Sequence, residues 1–197
     1  MATLFVDKID PQSGTSLEIG TSGDTISVPS GATINLSAAT QTGVGGTNTP
    51  AFEAWQSSNT GYLSNNTYVK VQCNTEVFDV GSAYDSTSNY RFTPQTAGKY
   101  FIYGNIRGNA NGDTRLRNMY AALYINGSIY RESRINYNGE RIREANVFVS
   151  AIYSFNGSSD YVELYGAVDD ASGSNQGYFT GDSGSKTTNF GGYKIIE

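Results

Sequence analysis

The 197-residue chain has no histidine and a single cysteine. Without histidine, the commonest general acid and base is missing, and with it the usual serine and cysteine triads. The lone thiol, Cys73 in the strand-like run YVKVQCN, excludes an internal disulfide, and with no second cysteine and no imidazole a zinc or thiol–imidazole site cannot be assembled. Cys73 is expected to be a buried structural residue, and no cofactor or metal is expected. Helical periodicity is also lacking: no long segment places apolar residues at i, i+3, i+4 and i+7. No apolar run is long enough to cross a membrane, and MATLFVDKIDP lacks the basic region and apolar core of a secretory signal. The expectation is a soluble chain made in a cytosol, without membrane insertion. A net charge of −5 argues against a nucleic-acid partner, which would call for a basic footprint.

What remains is rich in Gly, Ser, Thr, Asn and Tyr, the composition of an all-β protein. Four regions follow one another. Residues 1–12 form a short leader in which Leu4, Val6 and Ile9 alternate. Residues 13–37 write one phrase three times, Ser-Gly-x-(Ser/Thr)-aliphatic-x-aliphatic, starting at Ser13, Ser22 and Ser30. Each copy offers two aliphatic side chains on one face of a short strand: Leu17 and Ile19, Ile26 and Val28, Ile34 and Leu36. Burying these six falls well short of the entropy lost in ordering their backbone, so the repeat calls for neighbouring chains. Three chains turning these faces to a common axis would make a stalk. Residues 38–50 are small, polar and Gly-rich and read as a linker.

From residue 51 to 197 aromatic density rises and strand alternation becomes regular. KYFIYGNI, NMYAALYI, ANVFVSAIYSF and YVELYGAV read as strands, and Asn-Gly pairs at Asn111, Asn126, Asn138 and Asn156 read as hairpin turns. In residues 143–155 the odd positions Ala145 to Phe155 are apolar while Phe148 and Ile152 make the opposite face apolar too. A sandwich covers only one of those faces, so the other calls for another subunit.

Charge is uneven: seven of eight Arg lie between Arg107 and Arg143. In RESRINYNGERIRE, Arg131, Arg134, Arg141 and Arg143 interleave with Glu132, Glu140 and Glu144. Such interleaving suits ion pairs across strands or subunits; the alternative is a basic strip facing an acidic polysaccharide or virion surface. The tyrosines fall mostly in alternating strand patterns and are expected in core and interface packing. Glycan contact, if any, is placed at Tyr178 and Phe179, within a polar loop. The acids Asp79, Asp85, Asp169 and Asp170 match no metal-ligand spacing and are expected to be solvated loop acids. Asp169 and Asp170 are also the candidate pair for glycosidase chemistry, but adjacent residues on a strand face opposite ways.

The segment FDVGSAYDSTSNYRFTPQTAGKYFIYGNI, with Phe78, Tyr84, Phe92, Pro94, Gly98 and Tyr100, resembles the trimeric jelly-roll head of the complement globular-head and tumour-necrosis-factor superfamily; Ile102 stands where an aromatic is usual. AALYINGS with Asn126 and Gly127, and FGGYKII with Phe190, Gly192, Tyr193 and Ile195, extend the resemblance over residues 51–197. The phrase VDKIDPQSGTSLEIG…GDTISVPSGATI is similar to stalk and anchor segments of bacteriophage tail fibres and other virion appendages. Together these resemblances imply an all-β homotrimer with a jelly-roll head, in which Phe78, Tyr84, Phe92, Tyr100, Phe148, Ile152, Phe190 and Tyr193 serve the head or its trimer. They imply a virion location, other virion proteins (capsid or tail) as partners through the N-terminus, and a non-enzymatic structural role such as fibre, spike or capsid decoration. The alternatives are a receptor-binding head that adheres to host surface polysaccharide and, less favoured, a polysaccharide-degrading tailspike.

Overall fold

The computed structural model describes residues 9, 14–17, 19–35, 48–137 and 139–196. The chain divides into two compact units, Met1–Val44 and Gly45–Glu197.

In the first unit no described residue belongs to a strand. Turns break the repeat instead: the Asp24 amide donates to the Thr21 carbonyl at 3.0 Å and the Ala32 amide to the Pro29 carbonyl at 3.1 Å. Thr21 returns its own amide and hydroxyl to the Asp24 carboxylate. The strands expected over residues 13–37 are therefore absent from the described part of the single chain. A strand needs a neighbour for its N–H and C=O groups, and no ladder forms among the described residues of this unit. Leu17, Ile19, Ile26, Val28 and Ile34 are all exposed, at 44–64%. Leu36, most of the leader and most of the 38–50 linker lie outside the described residues.

The second unit is all-β. Its first sheet contains β1 (Ala51–Trp55), β3 (Thr75–Val80), β6 (Gly98–Asn109), β9 (Glu144–Phe155), β11 (Tyr178–Phe179) and β12 (Asn189–Lys194). They lie in the order β9-β6-β12-β1-β3, with β11 pairing the far end of β6. The second sheet contains β2 (Val69–Lys70), β4 (Tyr84–Asp85), β5 (Arg91–Phe92), β7 (Leu116–Ile125), β8 (Ser128–Asn136) and β10 (Val162–Asp170), ordered β8-β7-β10-β5-β4 with β2 also on β10. All pairings are antiparallel. The chain crosses between sheets after β1, β2, β3, β5, β6, β8, β9 and β10, the winding of a jelly roll.

Alternation decides what fills the space between the sheets. Even positions of β6 point inward, so Tyr100, Ile102 and Ile106 are buried, while on β9 the odd positions Val147, Val149, Ala151 and Phe155 do the same. Phe52 stacks on Tyr84 and Phe92 with centroids 4.6 and 4.5 Å apart and meets Phe190 edge-on at 4.9 Å. Tyr84, Phe92, Tyr100 and Phe190 thus belong to the core, where the Tyr84 hydroxyl donates to the Cys73 carbonyl at 2.9 Å. Cys73 is itself fully buried, which pushes its thiol well above the ordinary value.

Of the four Asn-Gly pairs, Asn126-Gly127 alone makes a two-residue hairpin among the described residues. It joins β7 to β8 with both residues at positive φ (50° and 80°), matching the strand twist. Asn111 and Asn156 sit in longer loops, and Asn156 Oδ1 accepts from the amides of Ser158, Ser159 and Asp160. Asn138 lies outside the described residues.

Candidate functional site

The outward positions of the first sheet line up in rows across its five long strands. Register places Ile152, Phe101, Tyr193, Ala51 and Val80 in one row and Ser150, Tyr103, Gly191, Glu53 and Phe78 in the next. Phe148, Asn105, Asn189, Trp55 and Thr75 follow. Phe101 sits 5.7 Å from Tyr193 and 6.2 Å from Tyr103, centroid to centroid. Phe148 and Ile152 are each 53% exposed, with Phe78, Val80 and Tyr193 at 40–48%. Gly191 makes room for this layer: a Cβ there would lie 2.4 Å from the Tyr103 hydroxyl, so the phenol lies across it and donates to Glu53 Oε2 at 3.0 Å. Burial and the Glu53 carboxylate hold the Tyr103 phenol above its ordinary pKa. At the sheet's β9 edge, Tyr130 of β8 stands against Tyr153 at 5.1 Å and donates to the Ile152 carbonyl, with Ile129 and Tyr130 exposed beside it. An apolar surface therefore runs from this edge across the sheet to Val80.

The outer face of the second sheet is of another kind. Tyr124 stacks on Tyr165 at 4.0 Å, and Tyr68 packs edge-on to Tyr120 at 5.8 Å. Cations lie over the rings: Lys70 over Tyr165, Arg134 over Tyr120 and Arg91 over Tyr161. Lys70 also pairs with the buried Glu163 at 2.6 Å, and the Tyr68 hydroxyl donates to Glu132.

The acids expected to be solvated are largely engaged. Asp169 and Asp170 are fully buried, a correction to the solvated reading. Arg117 grips Asp169 through two bonds, at 2.6 and 3.0 Å, and Asn118 adds a third at 2.9 Å. Burial alone would raise the Asp169 pKa; these hydrogen bonds outweigh it and hold the carboxyl below its usual range. Asp170 behaves alike, burial being outweighed by donors from Ser172 and Gln176. Both carboxylates are fully buried and held by these donors, so neither faces solvent. Asp79 accepts from the amides of Ala83 and Tyr84, and Asp85 organises residues 87–89.

Ion pairs across strands do form in the Arg-rich window, with partners other than the interleaved ones. Glu144 pairs with Arg107, Arg117 with Asp169, and Arg143 approaches Asp113 at 3.9 Å where both are largely exposed. Arg134 lies over a ring, and Arg131 and Arg141 meet no carboxylate among the described residues. Phe179 is fully buried against the core, which corrects its assignment to a glycan surface; alternation on β11 leaves only Tyr178 facing out. Phe101 and Tyr103 were concealed by the unbroken apolar run of residues 100–103, which gives both faces of β6 the same texture; Val80 and Tyr62 lie outside the aromatic-rich strand runs.

No family model matches the chain, and no curated protein matches it by sequence. In fold the second unit is a TNF/C1q-like jelly roll. It is similar to the Eiger TNF of S. frugiperda, with a TM-score of 0.53 at 10% identity, over 74% of this chain and 91% of that one. The globular domain of zebrafish complement 1qA is similar over 74% of this chain and 97% of its own, with a TM-score of 0.50 at 14% identity.

Proposed function

We propose that this chain is a non-enzymatic structural protein whose head assembles as a homotrimer and whose N-terminal repeats mount it on a bacteriophage particle. The observation that carries the reading is the apolar outer face of the first sheet. A two-layer sandwich has no third layer of its own to cover that face, and the row from Ile152 to Val80 reaches from one sheet edge to the other. The exposed edge residues Ile129, Tyr130, Phe148 and Ile152 and the face residues Phe101, Tyr193, Phe78 and Val80 occupy different parts of this surface. Packing the edge of one copy on the face of the next is a heterologous contact, and such a contact closes into a ring under three-fold symmetry. The exposed aliphatic pairs of the repeat support the same symmetry for the stalk, since three copies would cover one another's Ile19, Ile26 and Ile34. The virion address rests on the resemblance of residues 6–34 to appendage anchors.

Light scattering on the purified full chain tests the assembly, with an expected mass three times 21.2 kDa. A monomeric mass would sink the trimer. Labelling of particles in electron micrographs tests the address, and label confined to the host cytoplasm would remove it.

A further inference from the structure

Residues 59–63 run antiparallel to residues 177–181 at one end of the sandwich. The Thr60 amide donates to the Phe179 carbonyl at 3.0 Å and the Leu63 amide to the Gly177 carbonyl at 2.8 Å. The Thr60 hydroxyl accepts the Phe179 amide, and Asn59 Oδ1 accepts the Gly181 amide. This short ladder sends Phe179 into the core and sets Tyr62 across from Tyr178 on the outside, with ring centroids 6.2 Å apart at 46°. Asn111, from the β6–β7 loop, donates through Nδ2 to the Tyr62 hydroxyl at 2.8 Å and holds a ring that is 61% exposed. Asn59, Thr60, Tyr62, Asn111 and Tyr178 line a cleft of about 220 Å³.

The five lining side chains include no charge. Two aromatic faces stand beside groups left unused within the described residues: the Asn59 amide nitrogen, the Asn111 side-chain carbonyl and the Tyr178 hydroxyl. A sugar ring matches this set, because its axial C–H face packs on aromatic carbon while neighbouring hydroxyls each need a donor and an acceptor. The volume lies below the roughly 300–1,000 Å³ of drug-sized sites, the scale of one monosaccharide unit. Position agrees. Pro50, where the chain enters the head, lies beside Lys194 at the β1 start, whereas the cleft lies beyond the opposite ends of β1, β6 and β10.

We propose that this cleft binds a neutral hexose unit of a surface glycan. The site is complete within one head, so it stands or falls separately from the trimer, whose test is a mass. The full chain is titrated with the methyl glycosides of glucose, galactose, mannose and N-acetylglucosamine, and with methyl glucuronide as the charged comparison, using saturation-transfer NMR. At least one neutral glycoside is expected to bind in the millimolar range, ahead of the glucuronide. Tyr62→Ala should weaken that binding by about tenfold, the loss expected for one aromatic contact, and Tyr62→Phe should retain most of it. Tyr62 is exposed, so the Tyr62→Ala protein should keep its mass and its strand signal. Absence of binding by every neutral glycoside at about 50 mM, well above a millimolar Kd, overturns the proposal. So does binding that is indifferent to both Tyr62→Ala and Tyr178→Ala, or that prefers the glucuronide.

Discussion

On the first sheet, outward positions hold Ile152, Phe101, Tyr193, Ala51 and Val80 in one row; on the second, the surface holds Tyr124, Tyr165, Tyr120, Tyr68 and Tyr161, with Lys70 over Tyr165, Arg134 over Tyr120 and Arg91 over Tyr161. Both faces are aromatic and both sit on the same kind of antiparallel ladder. What differs is the treatment of polar tips. Lys70, Arg134 and Arg91 each have a ring beneath them, and burial and neighbouring rings and carboxylates keep the Tyr124 and Tyr165 phenols protonated above their ordinary range. Such a surface is at ease in water. Phe101, Phe148, Ile152 and Phe78 have no polar tip, so water gains nothing by wetting them and a second apolar surface removes the cost. Aromatic content alone therefore does not mark an apolar face; aromatic content without polar termination does.

That contrast can be broken most directly by charging each face. Phe148→Glu with Ile152→Glu should weaken assembly by about a thousandfold, two central contacts each being worth about 2 kcal/mol, and leave a folded monomer by light scattering and circular dichroism. An unchanged mass would show that the first face is not an interface.

The second face should reveal itself in acid. Asp169, on its outward row beside Asn118, has a folded-state pKa below the unfolded one, so its contribution is complete above about pH 3.9 and is lost as pH falls through the lowered value. Asp169→Asn should cost about 2 kcal/mol at pH 7, the loss of charged hydrogen bonds, and flatten the acid limb of stability measured by denaturant titration. An identical pH profile would contradict the role given to Arg117. Tyr165→Ala should cost about 1 kcal/mol through lost stacking on Tyr124, with no change in assembled mass. A fall to monomer there would erase the distinction between the faces. Smallest of all, Ile26→Asp should increase protease cleavage before residue 50 while the head keeps its assembled mass; unchanged cleavage would reduce the repeat to composition.

Much of the head was legible because its signals are local. The inward alternation of KYFIYGNI and ANVFVSAIYSF, the Asn126-Gly127 hairpin and the aromatic positions at Tyr84, Phe92, Tyr100 and Phe190 each depend on a few neighbouring residues. The site was less so. Phe148 and Ile152 could be seen because two apolar residues break the polar side of one strand. The surface they join could not, since Phe101, Tyr193 and Val80 come from strands far apart in sequence. Likewise Asp169 and Asp170 resemble exposed loop acids until Arg117, Asn118 and the 172–176 turn are brought to them.

By itself, then, the sequence determined an all-β head, its inward faces, one of its tight turns and the absence of imidazole and disulfide chemistry, because side-chain period and turn stereochemistry are properties of adjacent residues. Tertiary structure decided which outward side chains share a surface, which acids are neutralised and that Tyr62 meets Tyr178, because those outcomes depend on which strands become neighbours, and strand order is written in pairings between distant segments, such as Phe101 with Ile152 and Ala51 with Tyr193, rather than in any one run.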